Sequence, residues 1–395
     1  MIDIKRKKDC VGCAACVQVC PKQCISFDED KQGFRYPLVD LERCIHCNLC
    51  EKVCPVINQA ESKSPIEAFA AKNQNKDIEQ QSSSGGLFTA LATYVIKEGG
   101  VVFGARFDEN WEVVHDWTDN LEGLAAFRTS KYLQSRIGAA FIKTQDFLKE
   151  GRKVLFSGTP CQIAGLRLFL RKNYSPNLLC VDIACHGVPS PLIWRDYLGY
   201  ISTQENQLLK NIRNINFRDK RNGWDNYGMS FIYQNQDSQY EWFCPMRENL
   251  FMKGFLRDLY LRPSCYSCPA KKGKSQSDIT LADFWNICNT YPDLYHKGFY
   301  SLVLIQSDLG KNILFKISDV IKEQVLYDIA KKSNPALVYS ANKPPKYNNF
   351  WNSYSHGISS IPSFLQSMQP SFSRLIVRNV KIIVKRMLGK RSSVC

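Results

Sequence analysis

The chain lacks long apolar runs, an apolar leader and low-complexity segments. No hydrophobic stretch reaches the ~18 apolar residues of a membrane-spanning helix. The basic opening MIDIKRKKDC is not followed by the apolar core of a signal peptide. No motif of a nucleic-acid-reading domain is present, and the internal repetition is confined to a short cysteine pattern. We therefore expect a cytoplasmic, globular protein that does not bind nucleic acid.

Cysteine, by contrast, is abundant, and eight of the 17 cysteines form two copies of one pattern. Each copy is followed by a proline: Cys10, Cys13, Cys16 and Cys20 precede Pro21, and Cys44, Cys47, Cys50 and Cys54 precede Pro55. This C-x2-C-x2-C-x3-C-P spacing is typical of proteins that hold two cubane 4Fe-4S clusters. A zinc site needs only one such quartet, and a disulfide framework needs an oxidising compartment. The pattern therefore predicts a protein that transfers electrons.

The spacing also predicts which cysteines share a cluster. Three closely spaced thiolates curl around one cube, and the fourth, held off by the turn before proline, reaches the neighbouring cube. Cluster one is thus assigned to Cys10, Cys13, Cys16 and Cys54. Cluster two is assigned to Cys44, Cys47, Cys50 and Cys20.

The formal charge of +15 overstates the charge of the loaded protein. An oxidised cubane with its four thiolates carries about two net negative charges. Each cluster therefore removes about two units from the formal sum, and much of the remaining excess lies near the C-terminus. The basic charge therefore does not indicate that the protein binds nucleic acid.

The 395 residues leave room for a large body behind a ferredoxin-like domain over residues 1–60. Residues 57–65 read as a polar linker. Strands alternate with helices after it, including a helix over 84–98 and strands over 153–158 and 177–185, which favours an α/β body. Alternation over 214–240 adds antiparallel strands. The predicted fold is therefore α+β and α/β, with a mixed sheet in the body.

Four further cysteines occupy positions suited to a site. Cys161 follows one predicted strand, Cys185 ends the next, and Cys265 and Cys268 form a C-x2-C. Because ligands bind at the carboxyl ends of strands in open α/β sheets, these four can form a third metal site. Other interpretations stay open: Cys161 as a nucleophile with His186 as its base, or the C-x2-C as a zinc site or redox dithiol.

A small-residue loop precedes the predicted helix over 84–98. Its backbone N–H groups at the helix start suit a pyrophosphate, and Thr89 adds a hydroxyl. The alternative is a serine cap with glycines that allow tight packing. The candidate cofactor-binding residues here are Ser83, Ser84, Gly85, Gly86 and Thr89.

Seven segments together resemble the coenzyme F420 hydrogenase/dehydrogenase beta-subunit family. In chain order they are SSSGGLFTAL, TSKYLQS, VLFSGTPCQIAGL, CHGVPSP, FRDKRNGW, LRPSCYSC and SDITLADFW. Members of this family are FAD-containing iron–sulfur oxidoreductases, and the bacterial type with an N-terminal two-cluster ferredoxin domain is similar to this chain. The resemblance implies a family N-terminal domain over 66–148, a C-terminal domain over 149–330 and a basic tail over 331–395.

The resemblance also implies cofactors and roles. It favours FAD, and a third 4Fe-4S cluster on Cys161, Cys185, Cys265 and Cys268. Lys131 and Tyr132 would contact the flavin phosphate and ring, or else be a solvated lysine and a core tyrosine. Gly158, Thr159 and Pro160 would present Cys161 near the flavin, and His186 would hydrogen-bond the flavin or protonate a substrate. Thr129 stands where relatives usually have glycine, so the resemblance does not identify the substrate.

The tail contains a basic stripe at helical spacing, formed by Arg374, Arg378, Lys381 and Lys385. Such a helix can lie on an anionic membrane surface. The alternative, which we favour, is a helix that packs on the body or on another subunit of an oligomer with its basic stripe in water.

We therefore expect an oxidoreductase that passes electrons between ferredoxin-type clusters and a two-electron organic molecule, F420-like or other. Its partner would be a redox protein or a small-molecule donor or acceptor. The alternative is a non-catalytic subunit that delivers electrons to a partner enzyme.

Overall fold

The computed structural model describes residues 1–236 and 238–354. The N-terminal elements are α1 (Ala15–Val19), β1 (Ile25–Glu29), β2 (Arg35–Val39) and α2 (Leu49–Lys52). Ala14 and Asn48 each follow the second cysteine of a repeat, and both have φ of 57° and ψ of 13°. The doubled cysteine pattern thus corresponds to a doubled turn before a short helix.

Strands and helices alternate through the rest of the described chain. The strands are β3 (Glu67–Asn73), β4 (Val101–Phe107), β5 (Val113–Thr118), β6 (Val154–Gly158), β7 (Leu178–Ile183), β8 (Ile212–Asp219), β9 (Gly228–Asn235), β10 (Ser238–Pro245), β11 (Ile279–Asp283), β12 (Ser301–Ile305) and β13 (Val320–Gln324). The helices are α3 (Lys76–Gln80), α4 (Leu87–Lys97), α5 (Ala140–Lys149), α6 (Pro160–Leu170), α7 (Pro191–Gln204), α8 (Leu250–Phe255), α9 (Ile287–Thr290), α10 (Pro292–Tyr295), α11 (Asp308–Lys316), α12 (Tyr327–Ser333) and α13 (Tyr347–Ser353).

An eight-stranded mixed sheet forms the centre of the body, in the order β13-β3-β12-β11-β7-β6-β4-β5. Strands β4, β6, β7 and β11 are parallel neighbours, and the outer pairings are antiparallel. The strands β8, β9 and β10 form a separate antiparallel sheet. These features confirm the predicted mixed α/β fold.

Alternate side chains of the central strands enter different apolar layers. Leu155 on β6 packs into the layer that contains α4 and α11, whereas Val154 and Phe156 pack into the layer that contains α5 and α6. Successive side chains of a strand point to opposite faces, so a strand covered on both faces is apolar throughout. This explains the three consecutive apolar residues with which β6 begins.

One edge of the sheet gathers the loops that carry the sequence motifs. Strand β3 is parallel to β11, because each pairs antiparallel with β12. The carboxyl ends of β3, β6, β7 and β11 therefore lie at the same edge. We call the segments that follow these strands, residues 74–86, 159–161, 184–187 and 284–286, the carboxyl edge.

The predicted helix over 84–98 begins later than expected, as α4 (Leu87–Lys97). Gly86 has a φ of +79°, a left-handed conformation that precedes the helix rather than continuing it.

Within residues 1–236 and 238–354, no helix is both long enough and apolar enough to cross a membrane. The tail predicted over 331–395 is described as far as Tyr354, whose hydroxyl donates to Asp196 Oδ2 at 2.6 Å. The basic stripe from Arg374 to Lys385 lies outside the described residues.

Candidate iron–sulfur centres and the carboxyl edge

The cysteines assigned to cluster one line a single cavity. We call it the cluster-one cavity, and its cysteines are Cys10, Cys13, Cys16 and Cys54. Three of them come from the loop and first turn of α1, and the fourth follows α2 of the second repeat. The exchange of the fourth cysteine between repeats is the arrangement that the spacing predicts.

A second cavity brings together the cysteines assigned to cluster two. This cluster-two cavity is lined by Cys20, Cys44, Cys47 and Cys50. Cys24 lines it as well, and its Sγ lies 3.4 Å from Sγ of Cys20. Cys47 is exposed to solvent, so this cavity lies near the protein surface.

Burial raises the pKa of the Cys13, Cys16 and Cys54 thiols, and neighbouring cysteines raise it further. Buried thiols of this kind stay neutral unless a positive charge compensates the thiolate. Metal binding supplies that charge, and it couples ligand deprotonation to folding. The donor set and its burial therefore fit a metal–thiolate cluster.

The four body cysteines also meet in one cavity, which we call the body cavity. It is lined by Cys161, Cys185, Cys265 and Cys268. Cys161 lies in the first turn of α6 and Cys185 follows β7. Cys265 lies within the short 3-10 turn Pro263–Ser267, and Cys268 follows it directly. Burial raises the pKa of Cys161 to about 12 and that of Cys185 to about 11.

Polar groups contact two sulfur atoms and one backbone carbonyl of the body-cavity cysteines. The backbone N–H of Val188 donates to Cys265 Sγ at 3.4 Å, and Thr159 Oγ1 lies 3.3 Å from Cys161 Sγ. The ammonium group of Lys271 donates a hydrogen bond to the carbonyl of Cys185. Donors of this kind stabilise thiolate ligands and tune a bound cluster. Four thiols at one cavity are the donor set of a cubane cluster, whereas no group of three or more His, Cys, Asp or Glu side chains in the described residues is placed to hold a single metal ion.

The predicted glycine loop packs against the protein. A Cβ built at Gly85 would lie 2.7 Å from the carbonyl oxygens of Ala71 and Phe299, and one at Gly86 would lie 3.2 Å from side-chain atoms of Asn73 and Ile78. The N–H of Gly85 already donates to Ser301 Oγ at 2.9 Å. These contacts favour the packing role of both glycines over a phosphate cradle.

Serines of the same loop link it to its surroundings. Ser84 Oγ donates to the carbonyl of Tyr300 at 3.2 Å, and Ser83 Oγ accepts from the backbone N–H of Ser130 at 2.6 Å. Thr89 is buried within α4. The SSSGG and TSKY segments, whose contacting serines are 47 residues apart in sequence, thus meet directly.

Lys131 and Tyr132 follow that contact. The Nζ of Lys131 donates to the carbonyls of Ala126 at 2.8 Å and Arg128 at 2.6 Å, and burial lowers the pKa of Lys131 to about 7. Tyr132 stacks on Phe255 with ring centroids 5.2 Å apart. Both side chains are therefore held in place by protein groups.

The turn that presents Cys161 is a helix start. Thr159 and Gln162 form a capping box and Pro160 occupies the first turn of α6, which explains this sequence after Gly158. His186 lines the body cavity, and its Nε2 lies 2.5 Å from Asp258 Oδ1. The histidine thus joins the cysteine site, with a carboxylate that orients its ring.

A buried arginine lies beside the carboxyl edge. Arg218 pairs with Asp283 at 2.7 Å and donates to the Tyr132 hydroxyl at 3.2 Å. Its guanidinium lies 4.1 Å from the ring centroid of Tyr227 and also faces Trp285. Within the described residues, its buried Nε and Nη2 have no hydrogen-bond acceptor. Buried donors of this kind call for an acceptor that the described protein groups do not supply.

Sequence reasoning missed several of these groups. Arg218 lies in the segment FRDKRNGW, and the sequence pattern assigns no role to it. The same holds for Arg262 in LRPSCYSC, whose Nε donates to the Cys10 carbonyl, and for Gln134 in TSKYLQS, whose Nε2 donates to the Val11 carbonyl. Asp258, the partner of His186, lies outside every motif. A charged residue three positions before the C-x2-C was the available signal for Arg262.

The fold and the cysteine sites define an iron–sulfur protein with a mixed α/β body. Residues 9–58 match the family described as 4Fe-4S dicluster domain. Residues 151–326 match the family described as the C terminus of the coenzyme F420 hydrogenase/dehydrogenase beta subunit. The chain therefore combines a match to the 4Fe-4S dicluster domain with a match to the C-terminal domain of the coenzyme F420 hydrogenase/dehydrogenase beta subunit, which confirms the resemblance seen in the motifs.

Individual relatives match parts of the chain. It is 32% identical over 170 residues to the coenzyme F420-dependent sulfite reductase of Methanocaldococcus jannaschii, a match that covers 40% of this chain and 24% of that relative. It is 45% identical over 49 residues to a 7Fe ferredoxin of Hydrogenibacillus schlegelii, covering 12% of this chain and 56% of the ferredoxin. The chain thus spans about a quarter of the length of the sulfite reductase and about half that of the ferredoxin.

Among solved structures, a chain of the F420-reducing NiFe hydrogenase complex from Methanosarcina barkeri matches with a TM-score of 0.46 and 16% identity. This match covers 75% of the present chain and 95% of the hydrogenase chain.

Proposed function

We propose that this protein is an FAD-containing iron–sulfur oxidoreductase. In this proposal the dicluster domain exchanges single electrons with an external carrier, and the body exchanges electron pairs with an organic substrate such as a deazaflavin. The family domain over 151–326 and the F420-dependent sulfite reductase relative support this class of reaction.

The observation that carries the proposal is the position of Val11. This residue, between Cys10 and Gly12, lines both the cluster-one cavity and the body cavity. Two cysteine quartets are therefore separated by one short segment of chain. We assign a third 4Fe-4S cluster to the body quartet, because a site adjacent to cluster one is suited to electron transfer and a zinc ion is not redox-active.

FAD is proposed at the carboxyl edge, beside Arg218 and Tyr132. A flavin ring carries carbonyl oxygens and a ring nitrogen that accept hydrogen bonds, which suits the two unpartnered donors of Arg218. When bound, a flavin supplies the junction between one-electron and two-electron transfer.

His186 and Lys131 are the proposed proton-handling residues. His186 is oriented by Asp258 at 2.5 Å and is partly exposed. The pKa of Lys131, lowered by burial to about 7, lies in the range in which an ammonium can donate a proton at neutral pH.

The external carrier is proposed to exchange electrons at cluster two. Cys47 is exposed and the neighbouring Ile45 has 55% of its surface exposed, so this cavity is accessible to a docked redox protein. Clusters with exposed ligands also require reducing conditions, and we accordingly propose a cytoplasmic location.

The test is anaerobic purification of the full chain, with flavin quantified, followed by reduction with reduced methyl viologen as a one-electron donor. The proposal predicts that bound flavin is reduced in the parent protein and that its reduction slows strongly in Cys161→Ala. Cys244→Ala, which changes a cysteine outside the three cavities, serves as the matched control and should behave as the parent.

A protein with all its clusters but no flavin would support the alternative, a non-catalytic relay that delivers electrons to a partner enzyme. Bound flavin whose reduction is unchanged in Cys161→Ala would contradict the role of the body quartet.

A further inference from the structure

Arg262 lies between the cluster-one cysteines and the body cysteines. Its side chain is 1% exposed, and it precedes Cys265 of the body quartet by three residues. Its Nε donates to the carbonyl of Cys10 at 2.8 Å, and its Nη2 lies 3.5 Å from Cys10 Sγ. One side chain thus connects the loops of two cysteine sites.

The rest of its guanidinium is held by neutral groups. Nη1 donates to Gln134 Oε1 at 2.9 Å, Nη2 donates to the carbonyl of Arg35 at 2.9 Å, and the group lies 4.4 Å from the ring centroid of Tyr36. This contact set fixes the orientation of the guanidinium with respect to Cys10.

Gln134 extends the connection to the body cavity. Its Nε2 donates to the carbonyl of Val11 at 3.2 Å, and the residue lines the body cavity. A Cβ at Gly12 would lie 2.4 Å from Gln134 Nε2 and 3.0 Å from Arg262 Cζ. The lack of a side chain at Gly12, whose φ of +72° also favours glycine, lets residues 10–12 approach this pair so closely.

Within the described residues, Arg262 has no carboxylate among its hydrogen-bond and ion-pair partners. A buried cation without a counter-ion is unfavourable, because its desolvation is not compensated. A cubane cluster with four thiolates carries about two net negative charges. The Cys10 sulfur is the contact through which a cluster would serve as the counter-ion.

We propose that Arg262 is a positioning residue that holds residues 10–12 against the body cavity and raises the reduction potential of cluster one. This inference rests on the proposed function for its role in electron transfer, but its effect on cluster one requires only the dicluster domain. Reduction adds negative charge to a cluster, so a nearby cation and an N–H donor to a ligand sulfur favour the reduced form.

The test is a potentiometric titration of the full chain followed by electron paramagnetic resonance, on the parent, Arg262→Gln and Arg262→Lys. The cluster-one signal is identified as the one that is lost in Cys13→Ala. We expect Arg262→Gln to lower the potential of cluster one and to leave that of cluster two unchanged. Arg262→Lys retains the charge and should restore most of the parent potential.

Arg195→Gln is the matched control. Arg195 pairs with Glu29 of the N-terminal domain and Glu112 of the body, so its loss weakens the same interface without removing a charge that contacts a cysteine. Its cluster-one potential should equal that of the parent. An equal fall in Arg195→Gln would overturn the proposal, because docking alone would then explain the effect.

The proposal is also overturned if Arg262→Gln keeps its iron and its cluster-one potential. If Arg262→Gln loses cluster one, Arg262→Lys provides the test. A lysine variant that keeps cluster one supports the counter-ion role, and a lysine variant that loses cluster one contradicts it. A chain without a body cluster would refute the proposed function, while the cluster-one measurement would still test Arg262.

Discussion

A Cβ built at Gly165 would lie 2.9 Å from Sγ of Cys13. Gly165 is on α6, one turn beyond Cys161, so the same helix carries a body cysteine and packs against a cluster-one cysteine. The absence of a side chain at Gly165 allows this contact. Helix α6 therefore fixes how the dicluster domain lies on the body.

Gly165→Val is expected to displace Cys13. Overpacking of this kind costs about 1–3 kcal/mol, so the free energy of unfolding should fall by that amount. The iron content should fall by about four atoms per chain, because the displaced Cys13 no longer reaches cluster one and the cubane is lost. Denaturant unfolding and iron analysis on the same sample measure both.

Gly199→Ala is the control for this change, since a Cβ there meets no atom within 4 Å. This variant should keep all its iron, and its free energy of unfolding should rise by up to ~1 kcal/mol because alanine has a higher helix propensity than glycine. Full iron content in Gly165→Val at unchanged stability would show that the helix is not packed against Cys13.

Cys24 is expected to replace Cys20 as a ligand of cluster two. The two sulfur atoms are 3.4 Å apart and line the same cavity. Cys20→Ala and Cys24→Ala should each retain cluster two, whereas the double variant should lose about four irons per chain. Iron loss in Cys20→Ala alone would show that Cys24 cannot reach the cluster.

His115 is expected to make stability depend on pH. Its Nε2 lies 2.9 Å from the Ser157 carbonyl and its Nδ1 2.7 Å from Ser135 Oγ. A carbonyl only accepts, so Nε2 donates and Nδ1 accepts. Burial lowers the pKa of His115 from 6.5 to about 4, which keeps the folded-state ring neutral.

The sign follows from linkage. As pH falls from 7 to 5, the unfolded state binds a proton at His115 before the folded state does. The free energy of unfolding should therefore fall by about 2 kcal/mol over this range. His115→Phe keeps a ring that stacks on Phe156 but does not titrate. The fall in the free energy of unfolding that His115 causes between pH 7 and pH 5 should therefore be absent in this variant. The same pH dependence of the free energy of unfolding in both proteins would refute the role of His115.

Gly86→Val tests the packing role of the glycine loop. The left-handed backbone and the contacts with Asn73 and Ile78 predict a lower melting temperature, with flavin per folded chain unchanged. Loss of flavin at unchanged stability would instead restore the phosphate-cradle interpretation.

The local parts of this architecture could be predicted from sequence. The quartets at cluster one and cluster two follow from the spacing of two copies of one motif, which exchange their fourth cysteine. The gathering of Cys161 and Cys185 follows from the rule that parallel strands end at one edge. The mixed fold was confirmed because strand and helix periodicities are short-range signals.

The contacts between distant segments could not be predicted. Arg262 and Cys10 are 252 residues apart in sequence, and no local pattern indicates that they meet. Whether a glycine faces a phosphate or a neighbouring backbone also depends on tertiary packing, which is why the role of Gly85 required the structure.

The proposed function requires three cysteine quartets that hold three 4Fe-4S clusters and serve one flavin. Iron, acid-labile sulfide, zinc and flavin should be quantified per chain after anaerobic purification. We expect about twelve irons, about twelve sulfides and one FAD per chain, with no zinc. About eight irons with one zinc, or full iron without flavin, would contradict it.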